Sequence, residues 1–361
     1  MLPTPTASDP TALMSGPRPP GEPLLSVRNL TTHFALDEGT VIALEDVSFD
    51  VYPGRTLGLV GESGCGKSVT ARSILRLLDP PGRIVDGEIL LRRQVGNGAG
   101  AGDEIVDLAR LDPGGEKIRA IRGADIALVF QEPMASFSPV HTLGDQLIEA
   151  IRVHSRVGKK QAADRAVELL DRVGIPSPRR CMDSYSYELS GGLRQRTMIA
   201  MALSCRPRLL IADEPTTALD VTTQAQILQL MRDLQRDYGM AIMLITHSLG
   251  VIGEMADDVV VMYLGKVVES GPVATIFDAP AHPYTEALLQ SIPRLQARPK
   301  ERLASIQGSV PHPYNRPRGC PFHPRCSKYM AGTCERVSPV LRPLDRAHSV
   351  SCLLYHRDAA P

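Results

Sequence analysis

The chain lacks a net charge and lacks long apolar runs, and both absences restrict what it can do. Its 361 residues include 40 basic and 40 acidic side chains, without a dense run of Lys and Arg. Because nucleic-acid binding needs clustered cations, a nucleic acid is not the expected main partner. The longest apolar stretches, such as 240–245 and 259–264, are far shorter than the roughly 20 residues that cross a bilayer. Any membrane role must therefore come through a partner.

The N-terminal segment also lacks the features of a secretory signal. Residues 1–23 are rich in proline and contain neither a charged n-region nor an apolar h-region. A segment with so little apolar periodicity cannot bury enough surface to fold. We therefore expect a disordered, unprocessed tail and a cytosolic protein.

What the chain does contain is an alternation of strand-like and helix-like apolar runs, which is typical of an α/β fold with an open sheet. Residues 55–60 read as a buried strand that runs into a glycine-rich loop, and a helical apolar pattern follows from Ser68. Residues 159–173 carry one apolar face and end at Gly174, which predicts a helical insertion. Residues 97–115 are rich in Gly and Asp and predict an exposed hairpin excursion rather than core.

The glycine-rich loop has the pattern Gly-x-x-x-x-Gly-Lys-Ser between a predicted strand and a predicted helix. Backbone N–H groups of such a loop point inward around phosphate oxygens, and the helix N-terminus adds a favourable dipole. Lys67 is expected to reach the outer phosphates, and Ser68 to offer its hydroxyl to Mg²⁺. The predicted phosphate-binding residues are Gly61, Glu62, Ser63, Gly64, Cys65, Gly66, Lys67, Ser68 and Val69.

Two carboxylates end the apolar run 209–212. Asp213, at a strand end, is suited to hold a metal ion, although an Asp in that place is often only a strand end. Glu214 beside it is suited to orient and deprotonate an attacking water molecule, while the metal ion and Lys67 stabilise phosphate charge. The expected reaction is hydrolysis by an in-line water molecule.

These motifs, in this order, resemble those of ATP-binding cassette (ABC) ATPases. Residues 189–196 read Leu-Ser-Gly-Gly-Leu-Arg-Gln-Arg and match the family's signature, shortly before the Asp213-Glu214 pair. The resemblance implies an α/β P-loop NTPase fold with a RecA-like core, an antiparallel β subdomain and a helical subdomain at about 135–200. It also implies that Ser190, Gly191 and Gly192 bind the ATP held by an opposite subunit.

The resemblance also implies roles for four single residues. Gln131 matches the Q-loop glutamine that senses the metal ion and the water, and His247 matches the switch histidine at the γ-phosphate. Asp220 matches the D-loop and can equally cap a helix. Phe34 occupies the place of an aromatic residue that stacks on adenine, and can equally be a core residue. The implied Mg²⁺ ligands are Ser68, Gln131 and Asp213, and the implied catalytic residues are Glu214, His247 and Gln131.

The segment after the cassette resembles the C-terminal extension of oligopeptide and dipeptide importer ATPases. The matching stretches are 279–289 and 319–326, the latter reading Gly-Cys-Pro-Phe-His-Pro-Arg-Cys. Residues 67–70 and 130–134 resemble the D-type subunit of such importers more than the F-type. The implied organisation is a nucleotide-binding domain at 24–292 and an extension at 293–361.

This resemblance implies partners and a location. The partners are a paralogous F-type ATPase subunit, two transmembrane permease subunits and an extracytoplasmic substrate-binding protein, with the chain peripheral on the cytoplasmic face of the inner membrane. A nickel complex or glutathione is an alternative cargo. Two other functional classes are considered. The first is a non-transport cassette ATPase, for which long heptads, a second cassette or a basic surface would be expected. The second is a cassette that binds ATP as a structural clamp without hydrolysing it. The presence of Glu214 and His247 argues against a cassette that binds ATP without hydrolysis.

Four of the seven cysteines gather in the last segment. They are Cys320, Cys326, Cys334 and Cys352. Cytosolic proteins seldom keep disulfides, so this cluster predicts a metal site that supplies a missing core, with incidental thiols as the alternative. Zinc sites usually contain a close Cys pair, whereas the shortest interval here has five intervening residues. The spacing and the resemblance favour a [4Fe-4S] cluster, with zinc, aided by His323 or His348, as the alternative.

Overall fold

The computed structural model describes residues 21–95, 102–217, 219–292 and 306–356. The strands are β1 (Leu25–Leu36), β2 (Gly39–Val51), β3 (Thr56–Val60), β4 (Gly82–Val95), β5 (Gly102–Asp107), β6 (Ile126–Val129), β7 (Leu209–Asp213), β8 (Ala241–Thr246), β9 (Asp258–Tyr263), β10 (Lys266–Pro272), β11 (Arg342–Pro343) and β12 (Ser349–Val350). The helices are α1 (Lys67–Ile74), α2 (Glu116–Ile121), α3 (Pro133–Ser136), α4 (Leu143–His154), α5 (Lys159–Arg172), α6 (Pro178–Met182), α7 (Gly191–Ala202), α8 (Val221–Tyr238), α9 (Leu249–Met255), α10 (Val273–Asp278) and α11 (Pro283–Gln290). None of the helices in these ranges is long and apolar enough to cross a membrane.

The strands form two sheets. The smaller sheet is antiparallel in the order β2-β1-β4-β5, and the larger has the order β11-β12-β10-β9-β3-β8-β7-β6. In the larger sheet β3 pairs in parallel with both β8 and β9, and β7 pairs in parallel with β6 and β8. Strands β3, β7 and β8 are buried along their whole length, as expected for parallel strands covered on both faces. The predicted α/β fold is confirmed.

Parallel pairing brings the segments after β3, β6, β7 and β8 to one edge of the sheet. Ligands of open α/β sheets bind at this edge, because loops leave the carboxyl ends of the strands there. The glycine-rich loop follows β3 directly, and α1 begins at Lys67. The strand order therefore positions the residues singled out by the sequence next to one another.

A helical segment is inserted between β6 and β7. The buried residues of α4 include Leu143, Leu147 and Ile151, and α5 buries its own apolar face in the same cluster. Spacings of four residues place such side chains on one side of a helix. Helix α5 ends where predicted, since Gly174 adopts a φ of 75° in the turn after it.

The excursion at 97–115 is partly as predicted. Residues 102–107 form β5, which pairs with β4 at the edge of the smaller sheet, and residues 96–101 lie outside the described part. The expectation of no core contribution is wrong at Leu108, which is fully buried. The carboxylate of Asp107 accepts hydrogen bonds from the N–H groups of Ile89 and Ala109 and so turns Leu108 inward.

The C-terminal segment extends the larger sheet at its edge and also packs against its apolar side chains. Strand β12 pairs with β10, and the Phe322 ring lies 5.2 Å from that of Tyr263 and 5.3 Å from that of Tyr284. One apolar cluster therefore contains residues from β9, α11 and the segment 306–356. Residues 293–305, where the predicted boundary falls, and residues 1–20 of the predicted tail lie outside the described part.

Candidate functional site

The glycine-rich loop forms a compact cradle between β3 and α1. A Cβ atom on Gly61 would lie 2.2 Å from the carbonyl oxygen of Met262, so a larger side chain does not fit there. The Lys67 side chain is buried, and its Nζ donates to the carbonyl oxygens of Gly61 at 2.8 Å and Glu62 at 3.1 Å. A buried ammonium beside a glycine-rich loop at the start of a helix suits a multiply charged anion.

A cavity of about 270 Å³ opens beside this loop. Its lining residues are Val41, Ile42, Ala43, Ser63, Gly64, Gly66, Lys67, Ser68, Val69, Gln131, Glu214, Leu264, Gly265 and Arg316. They come from the loop, from β2, from the ends of β6 and β7, from the β9–β10 turn and from the C-terminal segment. Arg316 belongs to no motif and was missed by the sequence analysis, because only the tertiary fold brings it to the cavity.

Asp213 ends β7 next to the loop and is buried. Burial raises the pKa of its carboxyl, whereas a hydrogen bond with Ser68 and the charge of Lys67 oppose that rise. Its Oδ1 atom is buried and has no hydrogen-bond partner among the described residues. An unpartnered buried carboxylate oxygen next to a hydroxyl is a suitable donor set for Mg²⁺, which prefers oxygen ligands. These residues therefore fit a magnesium ion.

Glu214 follows Asp213 in a left-handed conformation with φ 47°. Its carboxylate accepts hydrogen bonds from Gln131 Nε2 at 3.1 Å and from Thr217 Oγ1 at 2.9 Å, and pairs with His247 Nδ1 at 3.2 Å. Burial raises the pKa of Glu214, but the hydrogen bonds from His247 and Thr217 outweigh it and leave the pKa below its ordinary value. The group is thus ionised at neutral pH and can accept a proton.

The structure brings the three residues of the implied catalytic set together. Gln131 follows β6, Glu214 follows β7 and His247 follows β8, and these strands are neighbours in the sheet. Thr217 is not among the predicted site residues, yet its hydroxyl is one of the groups that fix Glu214. The backbone strain at Glu214 is held by these partners.

Phe34 lies near the cavity but does not line it among the described residues. It pairs with Val41 across β1 and β2, and Val41 does line the cavity. The Phe34 ring packs against Gly82, where a Cβ atom would lie only 2.6 Å from Cε1. The contact with Gly82 supports the alternative role of Phe34 as a core residue, and stacking of Phe34 on adenine stays a prediction.

The signature residues begin α7. The Ser190 hydroxyl accepts a hydrogen bond from the Leu193 N–H at 3.4 Å, and a Cβ atom on Gly192 would lie 2.8 Å from Thr223 Cγ2. In the part of the chain that the structure describes, neither Ser190, Gly191 nor Gly192 lines the cavity. These residues are therefore not brought to the chain's own phosphate loop.

Asp220 begins α8 and acts as its N-cap. Its Oδ1 accepts from the Thr223 N–H at 3.0 Å, and its Oδ2 accepts from the Thr223 hydroxyl at 2.7 Å. These bonds satisfy donors that a helix start leaves free. The neighbouring Ala218 lies outside the described residues.

All four C-terminal cysteines line one small cavity together with His282 and His323. None of the four takes part in a disulfide, and burial raises the pKa of Cys320 and Cys352 to about 11. Across the described residues, no three His, Cys, Asp or Glu side chains stand in a metal-holding arrangement. His348 is directed elsewhere, since its Nε2 lies 2.8 Å from the buried Glu269 carboxylate.

Comparisons with known proteins agree with this geometry. Residues 44–217 match the family model "ABC transporter", and residues 268–334 match "Oligopeptide/dipeptide transporter, C-terminal region". The dipeptide transport ATP-binding protein DppD of Bacillus subtilis is 47% identical over 94% of this chain and 96% of its own length. The protein of that name in Escherichia coli is 45% identical over 91% of this chain and 96% of its own length.

Solved structures show the same core. A dimeric ATP-binding cassette, in a post-hydrolysis state with ADP and Pi, superposes with a TM-score of 0.58 at 25% identity. The superposition covers 69% of this chain and 98% of that one. With the phosphate loop, the adjacent carboxylates and the relatives in agreement, the chain is an ATPase that belongs to the ABC transporter ATP-binding proteins, in the oligopeptide and dipeptide branch.

Proposed function

We propose that this chain is the ATP-hydrolysing subunit of an importer for dipeptides or oligopeptides. The observation that carries the ATPase part is Glu214, an ionised carboxylate fixed by three partners beside the phosphate loop. The peptide part is supported by relatives named for dipeptide transport and by the match of residues 268–334. Residues 24–292 act as the nucleotide-binding domain and 293–361 as the extension.

In the proposed reaction the phosphates of ATP bind in the loop, and Lys67 stabilises their charge. Ser68 and Asp213, aided by Gln131, would hold a magnesium ion, which would withdraw charge from the phosphate oxygens. Glu214 takes a proton from the attacking water, and His247 fixes the Glu214 carboxylate and faces the γ-phosphate. The products are ADP and phosphate.

The chain works with a second ATPase subunit in this proposal. Ser190 and Gly192 bind the partner's ATP, which agrees with their place outside the chain's own cavity. The partner is an F-type paralogue, and the pair sits peripherally on two permease subunits at the cytoplasmic face of the inner membrane. A substrate-binding protein on the other side supplies the peptide, and closure of the ATPase pair drives the permeases.

The cargo is tested by reconstituting the full-length chain with its permeases and partner ATPase in vesicles. ATP-dependent uptake of a labelled dipeptide, supported by the substrate-binding protein, is the expected result. Uptake of glutathione or a nickel complex without peptide uptake contradicts the peptide assignment and leaves the ATPase assignment intact.

We also propose that Cys320, Cys326, Cys334 and Cys352 hold a [4Fe-4S] cluster with a structural or redox-sensing role. The proposal is supported by the position of all four thiols around one cavity next to an irregular segment. It is tested by anaerobic purification of the full chain and assay of iron, sulfide and zinc. Four irons and four sulfides are expected per chain, and stoichiometric zinc without iron contradicts the cluster.

A further inference from the structure

The C-terminal segment reaches the phosphate loop through Arg325. This residue ends the 3₁₀ turn His323–Arg325, and its side chain is only 4% exposed. Its Nη1 donates to Glu62 Oε2 at 2.7 Å and its Nη2 donates to Glu62 Oε1 at 3.0 Å. Two parallel bonds between a guanidinium and a carboxylate form the strongest and most directional ion pair that side chains make.

Glu62 is fixed at three points by three parts of the chain. Its N–H donates to the Tyr284 hydroxyl at 2.9 Å, its carbonyl accepts from Lys67 Nζ at 3.1 Å, and its side chain accepts from Arg325. Glu62 is the second residue of the loop, so its backbone sets the direction in which the loop leaves β3. Its position therefore affects both the loop and the ammonium of Lys67.

Arg325 is itself held in a single geometry. Its Nε donates to the carbonyl oxygen of Gln307 at 3.0 Å, and its guanidinium carbon lies 5.8 Å from the centre of the Tyr263 ring. A cation with all its neighbours fixed can act as a rigid support for the loop.

We propose that Arg325 is a positioning residue for ATP binding, which holds the phosphate loop in its binding conformation through Glu62. The loop pattern leaves the identity of residue 62 open, and in this chain Arg325 supplies a cation that faces the acid found there. Arg325 does not line the cavity, so it acts on the nucleotide through the loop. The proposal concerns the ATP site alone and does not depend on the cargo or on a metal at the cysteines.

A double-mutant cycle tests this link. ATP affinity is measured on the full-length chain carrying Glu214→Gln, so that bound ATP is not consumed. Arg325→Gln and Glu62→Gln are each expected to raise the Kd for ATP about tenfold, and the double variant is expected to be no weaker than either single variant. Arg325→Lys should recover part of the affinity, because one ammonium can still pair with the carboxylate.

Kinetics separate positioning from catalysis. In the assembled transporter with native Glu214, Arg325→Gln should raise KM for ATP about tenfold while kcat stays within about twofold, because only binding is lost. Arg318→Gln is the matched control, since Arg318 is exposed in the same segment and the charge change is identical. It should leave KM unchanged.

Three outcomes overturn the proposal. They are an unchanged Kd in a folded Arg325→Gln or Glu62→Gln variant, additive losses in the double variant, and a fall in kcat without a rise in KM. If Arg325→Gln does not fold, the Kd of Glu62→Gln for ATP tests the proposal instead. The Glu62 side chain is 25% exposed, so its neutralisation disturbs the core less.

Discussion

Glu214 shows how much a single side chain depends on its neighbours. Glu214→Gln keeps the shape of the group but cannot accept a proton, so hydrolysis should fall about 10³-fold. ATP affinity should remain, because Lys67 and the loop are unchanged. Phosphate release by the assembled transporter, with the partner's own site disabled, measures this effect. Glu168→Gln, an exposed site on α5, is the control, and hydrolysis that survives in Glu214→Gln refutes the base assignment.

Two glycines separate the cost of backbone strain from the cost of a clash. Gly265 has φ 75° and a Cβ atom there would lie 2.3 Å from the Ala43 carbonyl oxygen, whereas Gly54 has φ 69° with no described atom within 4 Å. Gly54→Ala should therefore cost about 1 kcal/mol in the free energy of unfolding, and Gly265→Ala about 3 kcal/mol. Urea denaturation measures both, and equal losses would show that the contact with Ala43 does not matter.

At the scale of the element, Ser190 combines a structural and a proposed functional role. As the N-cap of α7 it contributes about 1 kcal/mol, so Ser190→Ala should lower the melting temperature slightly. Ser190→Asp keeps a capping oxygen but brings a negative charge to the partner's phosphates, so stability should be retained while ATP hydrolysis by the pair falls. Calorimetry and phosphate release measure the two effects. Normal hydrolysis in Ser190→Asp contradicts contact with the γ-phosphate.

The start of α11 should make stability depend on pH. Burial, opposed by the Glu269 charge, lowers the pKa of His282 to about 4, and its Nδ1 accepts the Tyr284 N–H. Between pH 6.5 and 4 only the unfolded chain binds this proton. Stability is therefore complete above pH 6.5 and falls by up to about 3 kcal/mol as the pH drops to 4.

A variant isolates this contribution. His282→Asn keeps an N-cap acceptor but does not titrate in this range. Its urea midpoint should fall less than that of the wild type between pH 7 and pH 4.5, because every other titrating group is the same in both chains. Equal falls in the two midpoints would exclude His282 as the source.

Local motifs predicted the elements better than they predicted the contacts between them. The loop after β3 and the helix at 159–172 follow from patterns within a few residues, so the sequence was enough to predict them. The positions of Arg316 and Arg325 depend on how an irregular segment packs on the sheet, and no periodicity encodes that. Phe34 shows the same limit, because only the tertiary fold shows that its partner Val41 on β2, and not Phe34 itself, lines the cavity.

At the scale of the whole molecule, the described C-terminal residues 306–356 share an apolar cluster with β9 and α11. A chain ending at residue 292 loses Phe322 and uncovers the rings of Tyr263 and Tyr284. Loss of one buried aromatic side chain costs about 3 kcal/mol, and a fall in melting temperature on the order of 10 °C is expected. A chain ending at residue 356 keeps every described residue and should melt like the full chain. Scanning calorimetry compares them, and an unchanged melting temperature at 292 would show that the cassette is independent.

The ion pair between Glu62 and Arg325 joins positions that are 263 residues apart. Either residue without the other lowers the stability of the folded chain, because a half-buried carboxylate or a buried guanidinium without its partner is destabilising. The two positions should therefore be inherited together: a descendant that loses one charge is under pressure to lose the other. A chain without the C-terminal segment has no Arg325 to face its phosphate loop, so this particular constraint on the second residue of the loop is absent there.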